Sequence, residues 1–228
     1  MHNESSVLLQ RYTGVIEDIL ALRAVVFDYG MVLTGPPDPQ AYASLVRITG
    51  LSAARLDSLY WAHRAAYDEG ELTGEAFWRK VIDEAGLHLS ELEIRDLVHH
   101  DVRMWMTENR AMLAWQLRLK ERGLMTAIVS NMGDTVHKQM EQELEWLSRF
   151  DVLVWSYQLH MTKPHPGIYR YVLERLGRSA GEVLFIDDRP ANIDAAVGLG
   201  MKGLVFSTVE QLRSDLKESG LDSELPLP

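Results

Sequence analysis

The chain has no cysteine among its 228 residues, which excludes a disulfide framework and a thiolate metal site. It has no apolar run near the roughly 18 residues that cross a bilayer, so no segment reads as a membrane span. Its first residues, Met1-His2-Asn3-Glu4-Ser5-Ser6, lack the basic stretch that opens a signal peptide. Positive charge is also short: 23 Lys and Arg against 33 Asp and Glu give a formal net charge of −10. Phosphate backbones require a basic surface, so nucleic acid is not an expected partner. A small phosphorylated ligand is compatible with this charge, because a few cations or one metal ion reverse the field inside a cleft. The expectation is a cytoplasmic protein without membrane or nucleic-acid partners.

What is present is an ordinary globular composition, 46% hydrophobic and 25% charged, in a chain long enough for one large domain or a domain with an insert. The stretch that organises it is Ala24-Val25-Val26-Phe27-Asp28, followed by Tyr29-Gly30-Met31-Val32-Leu33-Thr34. A short β-branched and aromatic run bounded by a turn reads as a buried parallel strand. An aspartate at its C-terminal end lies where open α/β sheets bind ligands. On this stretch alone Asp28 reads equally well as the cap of a turn or helix.

Residues 6–22 carry apolar positions at helical spacing, a helix to pack on the sheet or on a second subunit of a homodimer. After the strand, Gly35-Pro36-Pro37-Asp38-Pro39 is a rigid exit. Four helices are predicted between 40 and about 106, with Ser52, Thr73 and Ser90 as N-caps and Glu93 completing a capping box with Ser90. Trp61, Trp78 and Trp105 are expected in the core of this segment. From Thr107 the pattern turns to strand–helix alternation, with strands at 126–129, 152–155, 183–186 and 203–206. The division is an N-terminal extension 1–22, a core of 23–35 and 107–219, a helical insert 36–106, and a loose tail 220–228. Such alternation implies right-handed βαβ units, hence a Rossmann-like parallel sheet with helices on both faces.

Three strands end in polar residues: Asp28, Ser130-Asn131 and Asp187-Asp188, while Lys163-Pro164 precedes a helix. Residues just past the C-termini of parallel strands converge on one edge of the sheet. Clustered carboxylates repel and call for a cation, and an all-oxygen set favours a hard ion such as Mg²⁺. Ser130 and Asn131 can donate to phosphate oxygens, Lys163 adds a point charge, and an aspartate beside them can act as a nucleophile. Taken singly, each of these pieces also reads as a turn or a helix cap. His160 and His165, which flank Lys163, are not counted as site residues.

Phe27-Asp28-Tyr29-Gly30-Met31-Val32-Leu33, Val129-Ser130-Asn131, Lys163-Pro164-His165-Pro166-Gly167-Ile168-Tyr169 and Phe185-Ile186-Asp187-Asp188-Arg189-Pro190-Ala191-Asn192-Ile193 resemble, in order and placement, the four motifs of the haloacid dehalogenase superfamily. The helical insert, with Asp68-Glu69-Gly70-Glu71-Leu72-Thr73 and Phe77-Trp78, is similar to its C1 caps in the sugar-phosphate phosphatases and the epoxide-hydrolase N-terminal domain. The resemblance implies Asp28 as nucleophile, Mg²⁺ on Asp28, the carbonyl of Gly30 and Asp188 with Asp187 in or beside that shell, and phosphate held by Ser130, Asn131 and Lys163. The cap would select the substrate, with Arg64, Tyr67, Asp68 and Glu69 as candidates by position.

Two residues depart from the family pattern. Its usual second aspartate, two residues after the nucleophile, is Gly30, and the next position, commonly Gly, is Met31. Gly30 still offers a carbonyl to a metal, but its position supplies no acid or base, a function that contributes about 10²–10⁴-fold in rate. The expectation is a Mg²⁺-dependent phosphatase for a small phosphorylated metabolite. The alternatives are a protein that binds a phosphorylated ligand with little turnover, and a haloacid dehalogenase, which the paired Asp187-Asp188 disfavours.

Overall fold

A computed structural model describes residues 22–227; the expected N-terminal helix, and with it the surface for a homodimer, falls almost wholly outside them. Five strands form the sheet: β1 Ala24–Phe27, β2 Met125–Ser130, β3 Val152–Trp155, β4 Val183–Asp187 and β5 Lys202–Val205. They lie in the order β3-β2-β1-β4-β5, every pair parallel. β1 is fully buried because it is central and covered on both faces. Its alternate side chains serve two cores, Val25 and Phe27 on one face, Ala24 and Val26 on the other.

The helical segment holds α1 Pro39–Thr49, α2 Ala53–Asp68, α3 Gly74–Ala85 and α4 Glu91–Met104. Ser52, Thr73 and Ser90 cap α2, α3 and α4, and Ser90 with Glu93 forms the capping box. This layer has its own core around Leu45, Leu56, Phe77, Trp78 and Leu97. Trp78 belongs to that core, but Trp61 is 57% exposed and Trp105 is partly buried, so the expectation of three core tryptophans fails for these two. The two crossings between layers run side by side: Gly35 donates to the Thr107 carbonyl at 2.8 Å and Asp38 to that of Met104 at 2.9 Å.

The remaining longer helices are α5 Arg110–Glu121, α6 Asp134–Glu143, α7 Pro166–Leu176, α8 Pro190–Val197 and α9 Val209–Glu218, with one short turn of helix at Ser156–Leu159. Helices α5, α6 and α9 cover one face of the sheet, α7 and α8 the other. The expected helix 134–147 ends at Glu143 and gives way to a tighter turn, Glu145–Arg149. The expectation of a loose tail at 220–228 is wrong. Leu221 and Leu225 are buried in the same core as α9, Leu225 completely, because a further turn brings both onto the apolar face of that helix.

Candidate active site

The chain runs from β1 outward through β2 and β3, then returns to lay β4 and β5 on the other side. That reversal opens a crevice at the C-terminal edge beside β1, where ligands bind in open parallel sheets. Register makes the meeting of residues specific. Phe27 is level with Ile128 and Ile186, so Asp28 is level with the start of the exits from β2 and β4. Asp28 N–H donates to the Ile186 carbonyl at 2.8 Å, which fixes its backbone.

Lys163 arrives from the loop before α7, and its Nζ lies 2.9 Å from Asp28 Oδ1 and 2.6 Å from Asp187 Oδ2. All three side chains are nearly sealed from solvent, so the ion pairs are only weakly screened. Asn131 holds the lysine in place from the end of β2. Its Oδ1 accepts from the Lys163 N–H at 2.7 Å and its Nδ2 donates to the Lys163 carbonyl at 2.9 Å. The Asn131 amide is therefore committed to the Lys163 backbone, a positioning role that its sequence motif did not disclose. Ser130 lines the cavity beside it.

Asp187 is fully buried. Its Oδ1 accepts from Arg189 N–H and Asn192 Nδ2, each at 2.9 Å, while Oδ2 takes Lys163. Asp188 is half-buried and faces the cavity. Oxygens of Asp28, Asp187 and Asp188 come within 4.8 Å of one another. Burial, foremost, pushes the Asp28 carboxyl up to about 7, with the Lys163 charge opposing and the two neighbouring carboxylates adding to the rise. Asp188 is raised by its own desolvation and by Asp187. A cluster of hard oxygen donors whose charges destabilise one another matches what a divalent cation of the magnesium type requires.

The turn after β1 places its left-handed residue beside the glycine and not on it. Gly30 has φ −62°, an angle open to any residue, and a Cβ built there would meet nothing within 4 Å. Met31 instead takes the left-handed conformation, φ 61°. The residue occupying glycine's usual conformation is thus a methionine, held by its N–H donating to Thr34 Oγ1 at 3.1 Å.

The helical layer roofs the crevice and closes a cavity of about 490 Å³. Trp61, Arg64 and Asp68 reach it from α2, their spacing placing them on one face of that helix. Arg64 Nε donates to Asp68 Oδ1 at 2.8 Å, and the guanidinium lies 5.4–5.6 Å from the ring centres of Tyr60, Tyr67 and Trp105. The end of α2 is seated on the core. Ser156 Oγ donates to the Asp68 carbonyl at 2.5 Å, Thr162 Oγ1 to Glu69 Oε1 at 3.0 Å, and His160 Nδ1 lies 2.8 Å from the Glu69 carbonyl. Tyr67 packs against Gly133, where any Cβ would overlap its ring. Of the residues expected to choose the substrate, Arg64 and Asp68 line the cavity, whereas Tyr67 and Glu69 serve the contact between layers.

A doubly wound parallel sheet, roofed by a helical insert, with an aspartate, a lysine and paired carboxylates at the switch point, defines a capped α/β enzyme. The chain belongs to the haloacid dehalogenase-like hydrolases, whose family model matches residues 22–200. It is 30% identical over 230 residues to bifunctional epoxide hydrolase 2 of Mus musculus, covering 92% of this chain but 41% of that protein. It therefore spans less than half of that relative's length. A sesquiterpene phosphatase of Aspergillus oryzae is 26% identical over 184 residues, covering 80% of this chain and 88% of the other. In fold it resembles a haloacid dehalogenase family enzyme from Bacteroides thetaiotaomicron crystallised with magnesium and inorganic phosphate. The TM-score is 0.69 at 20% identity, over 82% of this chain and 95% of that one. Among the described residues, no helix is long and apolar enough to cross a membrane.

Proposed function

We propose that the chain is a phosphomonoester hydrolase acting on a small phosphorylated metabolite through an aspartyl-phosphate on Asp28. The observation that carries this reading is the Lys163 ammonium bridging Asp28 and Asp187, with Asp188 beside them at the switch point. Phosphatase relatives support it. Asp28 Oδ attacks phosphorus and the bond to the leaving oxygen breaks; water then attacks the phosphorus of the aspartyl-phosphate and frees Asp28 and phosphate. Lys163 holds the nucleophile's carboxylate and offsets the phosphoryl charge, while Ser130 donates to a phosphoryl oxygen. Asn131 keeps Lys163 in register and can meet the phosphoryl group through its backbone N–H. Asp28, Asp188 and the Gly30 carbonyl would hold a magnesium ion, with Asp187 beside that shell; when bound, the ion supplies charge neutralisation at the phosphoryl group.

Residues 36–106 act as a cap. The cavity suits a compact organic group, with Met31, Pro37, Trp61 and Trp105 giving its outer part an apolar lining. Asp28→Asn should abolish phosphate release from sugar, nucleotide and aryl phosphates with circular dichroism unchanged. Retention of most activity would remove Asp28 from the reaction. A protein that binds without turnover would instead show phosphate-analogue binding and no phosphate release from any compound, with or without Mg²⁺.

A further inference from the structure

Position 30 provides no proton donor, yet a buried carboxylate enters the same cavity from above. We infer that Asp68, on the cap, is the acid and base of the reaction, giving its proton to the leaving oxygen and taking one from the attacking water. The inference rests on the phosphatase reading.

Three observations converge on this residue. Asp68 lines the cavity together with Asp28, Ser130 and Lys163, on the side from which the cap meets the substrate. Its side chain is 13% exposed, and only Oδ1 is engaged, by Arg64; no donor among the described residues bonds Oδ2. Its backbone is fixed to the core by Ser156, and the adjacent Glu69 is fixed to His160 and Thr162, in the loop that delivers Lys163. Cap carboxylate and core lysine are therefore set from one anchor, the kind of positioning an acid–base group requires.

The groups facing Asp68 are Arg64 on its own helix, Asp101 on α4 and Lys163 on the core loop. Burial raises its carboxyl above the usual range against the pull of Arg64 and Lys163, and Asp101 adds to the rise. That makes it a better donor at neutral pH than an exposed aspartate. In the first half-reaction the P–O bond to the leaving group breaks as Asp28 bonds to phosphorus, and the Asp68 proton goes to the departing alkoxide. In the second, water attacks phosphorus, its proton goes to Asp68, and the acyl-phosphate bond to Asp28 breaks. The cycle consumes one water and returns both carboxyl groups to their starting states.

The test is rapid-quench and steady-state kinetics with an alkyl phosphate, whose leaving group needs a proton, and 4-nitrophenyl phosphate, whose leaving group does not. The parent should hydrolyse both without a burst. Asp68→Asn should lower alkyl turnover about 10²–10³-fold. It should leave phosphoenzyme formation from 4-nitrophenyl phosphate nearly unchanged, and show a nitrophenol burst as phosphoenzyme accumulates. Adding Gly30→Asp to Asp68→Asn should recover about tenfold in alkyl turnover, because a Cβ at position 30 meets nothing within 4 Å and the backbone angle there suits any residue. Equal loss of phosphoenzyme formation from both substrates, with no burst and matched circular dichroism, would reduce Asp68 to a support for Arg64 and overturn the inference, as would undiminished alkyl turnover. Should Asp68→Asn fail to fold, the parent decides alone: a shallow dependence of kcat/KM on leaving-group basicity supports the inference, and a steep one with a burst overturns it. A parent that releases no phosphate from either compound and takes no label on Asp28 would instead refute the phosphatase reading itself.

Discussion

Lys163→Met keeps most of the apolar stem and removes the charge, which leaves Asp28 and Asp187 facing each other in a sealed site. In the parent, Nζ lies 2.9 and 2.6 Å from the two carboxylates, with the lysine side chain 1% exposed and those of Asp28 and Asp187 11% and 0%. At this burial, removing one partner of an ion pair costs about 3–5 kcal/mol, because the other charge is left without compensation. The metal-free variant should therefore lose about that much stability at pH 8. At pH 5 the loss should shrink, since Asp28 can take up a proton. Mg²⁺ should narrow the gap too: a ligand at 100 times its Kd contributes about 2.7 kcal/mol, and the variant's uncompensated carboxylates gain more from a cation than the parent's. Where both proteins are folded, phosphate release should fall by about 10²–10³-fold, the usual effect of losing one donor at a developing charge. Urea unfolding at pH 5 and 8, in EDTA and in Mg²⁺, reads the stability, and phosphate release reads the rate. A variant within about 0.5 kcal/mol of the parent at pH 8 in EDTA, the range of neutral surface substitutions, would show that Lys163 is not the neutralising charge.

Asp188→Ala should weaken Mg²⁺ and activity together, because Asp188 presents a half-buried carboxylate to the cavity; an unchanged Mg²⁺ titration of activity would contradict it. Gly133→Ala should cost about 1–3 kcal/mol and speed hydrogen exchange at the end of α2, since its Cβ would stand 1.9 Å from a Tyr67 ring carbon. Unchanged exchange would mean that the cap does not rest there. In EDTA the parent should lose stability as pH rises. Asp28 is pushed up to about 7 by burial and Asp68, Asp101 and Asp188 are raised in the same sense, so between about pH 4 and 7 the folded chain holds protons that the unfolded chain has released. The change should be on the order of a few kcal/mol by chemical denaturation, and stability rising over that window would refute the carboxylate assignment.

The strands, the helices of the insert and the four polar motifs were legible in the sequence because each rests on local chemistry. An unbroken β-branched and aromatic run marked β1, Ser52, Thr73 and Ser90 marked the starts of three helices of the insert, and strand ends displayed Asp28, Ser130 and Asp187. Helix α9 and its tail were missed: Leu221 and Leu225 are too few to form a pattern, and their burial depends on a surface supplied from elsewhere. The order β3-β2-β1-β4-β5 arises from pairing between distant segments, and that order decides that Asp28 and Asp187 share one lysine. The same limit hid Asn131's engagement with the Lys163 backbone, 32 residues away, and the seating of Asp68 on Ser156, 88 residues away. It also hid which residue of the Gly30-Met31 pair bends left-handed, because that angle sits inside a turn closed by bonds from Thr34 to Tyr29 and from Met31 to Thr34 and does not follow either residue's preference. The sequence by itself determined most of the elements up to β5 and the chemical groups they carry. Only the tertiary structure decided which groups stand against one another in the cavity, since burial and opposition across long loops belong to the packed chain and not to any segment of it.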